Sequence, residues 1–234
     1  MNQTNELTSR NVIAAKNSAV FKKVYLWMTL ALTISGLTAM YVASQPSIVA
    51  TIFSNKMYFF LMVIAQLGIV WYISARIAEI TAFTATILFN VYAILTGFTL
   101  SVIFLAFTTE SITTVFYITA GTFAGVSLYG YTTKSDLSSF GSYLIMGLIG
   151  LIIASVVNWF LHSETLYWII SYAGVLIFIG LTAYDTQKIK TMIRHYGCDD
   201  TETTNKVALM GALTLYLDFI NLFLYLLRIF GKRK

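Results

Sequence analysis

The sequence predicts an all-α polytopic membrane protein, a bundle of seven transmembrane helices, and three observations carry that prediction. Hydrophobic residues make up 58% of the 234 residues and charged residues 11%, with a mean hydropathy of +0.76. A soluble domain carries about 25% charged residues, and no water-soluble core hides this much apolar surface. Apolar runs near the ~20 residues that a spanning helix needs recur along the whole chain. The polar pieces between them are short, the longest being residues 1–23 and the connector around Thr186 to Lys206.

The runs, in order, are Val24 to Ala43, Met57 to Ser74, Thr84 to Phe107, Thr113 to Tyr131, Ser142 to Leu161, Leu166 to Tyr184 and Val207 to Phe230. The first is too long for the apolar core of a signal peptide and no clear small-x-small cleavage site follows it, so it reads as a retained span. The organisation expected is a cytoplasmic N-terminal tail, 1–23, and a single transmembrane helical domain, 24–234. Any chemistry then lies within or beside the bundle.

Lys and Arg set the orientation. Arg10, Lys16, Lys22 and Lys23 precede the first span, and Arg76, Lys134, Lys188, Lys190, Arg194 and Lys206 follow the even-numbered spans. The opposite connectors hold only Lys56, with Glu110 and Glu164. The N-terminus is therefore expected in the cytoplasm, and the net charge of +5 belongs to span ends rather than to a nucleic-acid surface. Seven crossings then place the Lys-Arg-Lys tail on the far side, which the same rule disfavours. Either the last helix does not cross completely or the tail is tolerated there, and the second is the expectation.

Cys198 is the only cysteine, which excludes an internal disulfide; it reads as an incidental thiol. Gly121 and Gly125 stand in GxxxG register, a spacing that lets helices approach closely, and packing inside the bundle is expected of them ahead of a dimer face. Pro46, the one proline, falls in the first connector.

Two carboxylates fall inside apolar runs. Arg194 and His195 followed by Gly197 read as a helix C-terminus, and the threonines around Thr203 as the N-cap of the next helix. Asp185 and Asp218 then lie roughly 18 and 21 Å from the shared turn at about 1.5 Å per residue. In an antiparallel hairpin they sit at one level. Gly211, Thr214, Asp218, Asn221 and Tyr225 form a polar stripe at helical spacing, and Thr182 with Asp185 a shorter one. A charge within a span is costly, faces the interior or a wet cavity, and marks function by default.

Asp185 also reads as a snorkelling carboxylate paired with Lys188, three residues on. Asp218 has no nearby cation in its own helix; its partner is either Asp185, through a shared proton, or a cation such as Arg76. Paired carboxylates titrate as a coupled unit and offer hard oxygen ligands of the kind Ca2+ accepts, so protons and Ca2+ compete for one site.

At these residues the sequence resembles the Bax inhibitor-1 family, also called the transmembrane Bax inhibitor motif family, and most closely its bacterial inner-membrane branch. The matching blocks are GLTAYDTQKIK (Gly180 to Lys190), GALTLYLDFINLFLYLLRIFG (Gly211 to Gly231) and SARI (Ser74 to Ile77). The resemblance implies seven helices with the last one central, acting as a pH-sensitive Ca2+-permeable leak in the bacterial cytoplasmic membrane. It also implies that Asp185 and Asp218 are a di-aspartyl sensor and that Arg76 latches onto it; Thr182, Thr214 and Asn221, read from the polar stripes, are expected to support the pair. Some relatives use an acidic residue in the second span, and none lies between Met57 and Ala75 here.

Other classes fit less well. An intramembrane aspartyl protease shares Tyr184-Asp185 and a second aspartate, but Leu215, Tyr216 and Leu217 stand where its glycine-x-glycine block belongs, and no proline follows. His162 and His195, the only histidines, fall in connectors expected on opposite sides, which leaves no zinc cluster and no base for a serine nucleophile. The expectation is a non-enzyme without a cofactor, whose partners are the lipid bilayer, protons and Ca2+. The alternative is an interaction protein that engages a membrane protease through its N-terminal tail or helix faces.

Overall fold

The structure is a computed structural model that describes the backbone of residues 2–196 and 200–234 and the side chains of 18–51, 55, 57–196 and 200–234. Among these residues the chain forms eight helices and no strand. They are α1 (Asn2–Ala43), α2 (Pro46–Ser54), α3 (Lys56–Arg76), α4 (Ala82–Ala106), α5 (Thr109–Thr132), α6 (Ser138–Leu161), α7 (Glu164–Tyr196) and α8 (Thr201–Phe230). All but α2 are long and apolar enough to cross a membrane, so the chain is an all-α polytopic membrane protein.

The sequence reading left α2 in a connector. Its nine residues reach less than half of the ~30 Å hydrocarbon core. Pro46 opens it, at a position where the missing N–H has no helical partner to lose and φ is already helical. The lone proline thus marks a helix start.

The long helices outrun their apolar stretches, because polar residues continue a helix once it leaves lipid. At 33 residues, α7 spans about 50 Å and projects well beyond the bilayer. The cap of α8 corrects one expectation. Asp200, not a threonine, accepts the Thr203 backbone N–H at 2.8 Å, since a short side-chain oxygen just ahead of the first turn meets an otherwise unpaired donor. Gly197 and Cys198 lie outside the described residues.

The chain divides into two compact units. The first comprises Met1–Val102 and Ile189–Thr214. Within it Gly97 lets α4 lie against Ser35 and Thr38 of α1, and Ser35 Oγ donates to the Ala93 carbonyl at 2.8 Å. Gln66 ties α3 to α4 through the Leu95 carbonyl at 3.0 Å. At the start of α8, Glu202 accepts the Ala82 N–H at 2.6 Å, and Lys206 donates to the Ala78 carbonyl at 3.2 Å.

The second unit comprises Ile103–Lys188 and Leu215–Lys234. Its packing corrects the reading of the GxxxG pair: no neighbouring residue lies within 4 Å of where a Cβ on Gly121 or Gly125 would stand. Gly130 makes the close approach instead, against the Ala183 backbone of α7. The expectation of packing inside the bundle does not hold for Gly121 and Gly125, whose helix face is open.

This unit also positions the C-terminal tail. Arg233 pairs in antiparallel fashion with Phe107. Thr108 N–H donates to the Lys232 carbonyl and Lys234 N–H to the Ala106 carbonyl, both at 3.1 Å. Lys232 N–H donates to Ser111 Oγ at 3.0 Å. The tail is fastened to the α4–α5 connector by its backbone.

Of the crossing helices α8 is the most enclosed, with 67% of its apolar window buried against 6% for α3 and 11% for α6. Outward apolar side chains such as Leu67, Trp71, Phe83 and Phe160 suit hydrocarbon, which asks only that backbone polar groups be paired within the helices.

Candidate functional site

Asp185 and Asp218 both belong to the second unit. Helix packing sets their positions. Gly130 of α5 lies against Ala183, Gly141 of α6 receives the Tyr184 ring, and Gly180 lies under Leu144. Side chains of any size at Gly130 or Gly141 push these helices apart. Just past Asp185, Ser127 and Thr186 share a hydrogen bond at 2.9 Å, both fully enclosed. Gln187 then clamps the α5–α6 connector, accepting Leu137 N–H and donating to the Ser135 carbonyl, each at 2.8 Å. On α8, Phe219 packs edge-on against Phe116 and Phe123 of α5, with ring centroids 5.5 Å apart in both cases.

The outcome is a pair of buried carboxyls. Asp185 is 8% exposed and Asp218 4%, and the two groups lie within hydrogen-bonding reach of each other. Oδ2 of Asp218 is enclosed with no hydrogen-bond partner. A hydrogen bond between two carboxyls needs a proton on one of them. The pair is therefore bonded when it holds a proton and mutually repelled when it holds none.

A positive charge, Lys188, follows Asp185 by one helical turn. Its exposed ammonium stands 5.9 Å from the centre of the Tyr184 ring and acts on both aspartates through its field; among the described residues it forms no direct ion pair with Asp185. Arg76 lies in the first unit at the end of α3, exposed and ion-paired with Glu79. Thr182, Thr214 and Asn221 each bond back to the carbonyl one turn earlier, of Phe178 at 2.7 Å, Met210 at 3.0 Å and Leu217 at 2.8 Å. The two hydroxyl donors are thus occupied, while Asn221 keeps a second amide N–H and its carbonyl oxygen for the stripe.

Two carboxylates supply four oxygens, short of the roughly six to eight that Ca2+ takes. No group of three or more His, Cys, Asp or Glu gathers among the described residues. Outside the spans, the exposed Asp136 carboxyl is held below the usual carboxylate range by the Ser138 hydroxyl and amide.

Sequence reasoning missed Ser127, Gln187 and the Gly141–Tyr184 contact. Their partners lie some 40 to 60 residues away along the chain, and each residue taken singly is an ordinary span or connector residue. Only Gly130 gave a local hint.

Residues 17–234 match the family described as "Inhibitor of apoptosis-promoting Bax1". The chain is 50% identical over 212 residues to the inner membrane protein YbhL of Escherichia coli K12, covering 91% of each. It is 52% identical over 212 residues to an uncharacterized protein of Borreliella burgdorferi, again covering 91% of each. Identity to protein RP147 of Rickettsia prowazekii is 47%, over 91% of this chain and 89% of that one.

Proposed function

The chain belongs to the Bax inhibitor-1 family, and on that premise we propose that it is a pH-sensitive, Ca2+-permeable leak gated by Asp185 and Asp218. The observation that carries the reading is the buried carboxyl pair, with one oxygen of Asp218 left without a partner. A carboxyl is not retained inside a span for packing, since an apolar side chain packs there without desolvation cost. Protons and Ca2+ compete for the pair. Binding a proton replaces repulsion by a hydrogen bond and discharges the group that holds a cationic latch. By resemblance that latch is Arg76, whose guanidinium is ion-paired with Glu79 in this structure.

The setting is the cytoplasmic membrane with the N-terminus inside. This follows the distribution of Lys and Arg and the printed name of the Escherichia coli relative. A second reading, docking to a membrane protease, draws on α1, which starts at Asn2, well ahead of the apolar run that begins at Val24. That leaves a helical extension for a partner. Ca2+ entry into dye-loaded proteoliposomes across about pH 5 to 8, for the wild type, Asp185→Asn and Asp218→Asn, tests the leak. A pH-dependent flux altered by both substitutions supports it. Absence of flux from folded protein rejects it, and loss of a cellular phenotype on deleting 1–16 with flux intact supports the second reading.

A further inference from the structure

The polar stripe of α8 ends at an aromatic pair. Phe178 lies seven residues before Asp185 and Tyr225 seven residues after Asp218. Seven residues are close to two turns, so each ring stands on the same helix face as its aspartate, about 10 Å further along. Because α7 and α8 run antiparallel, both displacements point the same way, away from the α7–α8 turn. The two rings meet there, stacked with centroids 5.8 Å apart and planes 26° from parallel.

The surroundings hold this stack in place. Gly174 lies one turn from Phe178 on the same face of α7, and a Cβ there would stand 2.7 Å from the Tyr225 ring, so the absent side chain is what admits the ring. Arg228 follows Tyr225 by one turn, with its guanidinium 5.0 Å from the Tyr225 centroid and 5.9 Å from that of Tyr167. Tyr167 stands on the Asp185 face of α7 as well. Aromatic rings attract a cation placed over them, and Arg228 thereby fixes Tyr225 while setting a positive charge just beyond the stack. Phe178 is itself buried.

We propose that Phe178 and Tyr225 form an apolar constriction on the outward side of the aspartate pair, with Arg228 as an electrostatic barrier to cations at its outer edge. The inference rests on the leak reading and adds residues to it. A narrow apolar segment sheds water and so blocks ions. The positive charge beyond it raises the barrier selectively for cations. An ion that has reached Asp185 and Asp218 passes outward only when the two rings part.

The test is Ca2+ flux through proteoliposomes at about pH 7.5 and pH 6 for the wild type, Phe178→Ala, Tyr225→Ala, Tyr225→Phe and Arg228→Gln. The two alanine variants are expected to raise flux at neutral pH several-fold and so to flatten the acid response. Arg228→Gln raises flux at both pH values, and Tyr225→Phe, which keeps the ring, behaves as the wild type. Phe178→Cys with Tyr225→Cys in a Cys198→Ser background gives a reversible lock: oxidation abolishes acid-stimulated flux and a reductant restores it, which also demonstrates folded protein. If the wild type conducts under acid while the alanine variants and the lock leave flux unchanged, the constriction is refuted and the leak stands. A wild type silent at both pH values refutes the leak itself, and the constriction with it.

Discussion

Asp218→Asn should make the folded protein more stable. Oδ2 of Asp218 is enclosed without a hydrogen-bond partner, and an unsatisfied buried polar atom costs about 1–3 kcal/mol. Asparagine keeps the shape and exchanges one oxygen for an amide that donates to Asp185, which lies within reach. The repulsion between two carboxylates goes at the same time. The expected gain is thus about 1–3 kcal/mol, and for a chain of this size each kcal/mol moves the midpoint by about 2–4 °C. Thermal denaturation in detergent micelles at about pH 8 should show a rise of roughly 2–12 °C by that conversion. The gain shrinks in acid, where the native pair acquires a proton of its own. Adding Asp185→Asn contributes less than it does alone, because residues in direct contact are not additive. An unchanged or lower midpoint for monodisperse Asp218→Asn at pH 8 would show that the pair carries no electrostatic cost, and the argument for its function would lose its footing.

Four further outcomes are expected. Gly130→Ala drives a methyl group into the Ala183 carbonyl; overpacking of this kind costs about 1–3 kcal/mol and should lower the same midpoint, whereas Gly121→Ala, on an open face, leaves it unchanged. Gln187→Ala removes two hydrogen bonds to the α5–α6 connector, each worth about 0.5–1.5 kcal/mol, and should speed amide hydrogen exchange at 133–138. Asp200→Ala should fray the first turn of α8, seen as faster exchange at 201–204. The Asp200 carboxyl is held below its ordinary value by the Thr203 hydroxyl and amide, so its contribution is present above the unfolded-state value and disappears as pH falls through the folded one. Finally, cysteines placed singly at Thr108 and Lys234 in a Cys198→Ser background should react with an impermeant thiol reagent from one and the same side of the membrane, because the tail and the α4–α5 connector are hydrogen-bonded together.

Much of the architecture was legible because lipid imposes a simple rule. Each crossing must be a long apolar helix, and the runs found in the sequence map onto α1 and α3 to α8. The start of α8 was less legible, since nothing apolar marks where a helix begins in water and Asp200 rather than a threonine caps it, whereas the end of α7 followed from Arg194 and His195 in its last turn. Helix α2 escaped notice because a short apolar segment opened by Pro46 reads as a break. The level of Asp185 and Asp218 followed from helical rise measured back from a shared turn. Their enclosure did not, for it depends on glycine contacts such as Gly130 against Ala183. The open face of Gly121 and Gly125 makes the same point in reverse: register states that a close approach is allowed, and only the packing decides which glycine makes it. Arg76 carries no comparable geometric signal, because an arginine at a cytoplasmic span end serves the positive-inside rule whatever else it does, and its ion pair is with Glu79.

The central claim, that protons reach this buried pair and open a Ca2+ pathway, is tested most directly by one acid step. Proteoliposomes loaded with a Ca2+ dye are taken from about pH 8 to about pH 6 under a fixed Ca2+ gradient, for the wild type and for Asp185→Asn combined with Asp218→Asn. The account predicts that influx into wild-type vesicles accelerates after the step while influx through the double variant is the same on both sides of it. An equal acceleration in both proteins would place the proton response elsewhere and contradict the account.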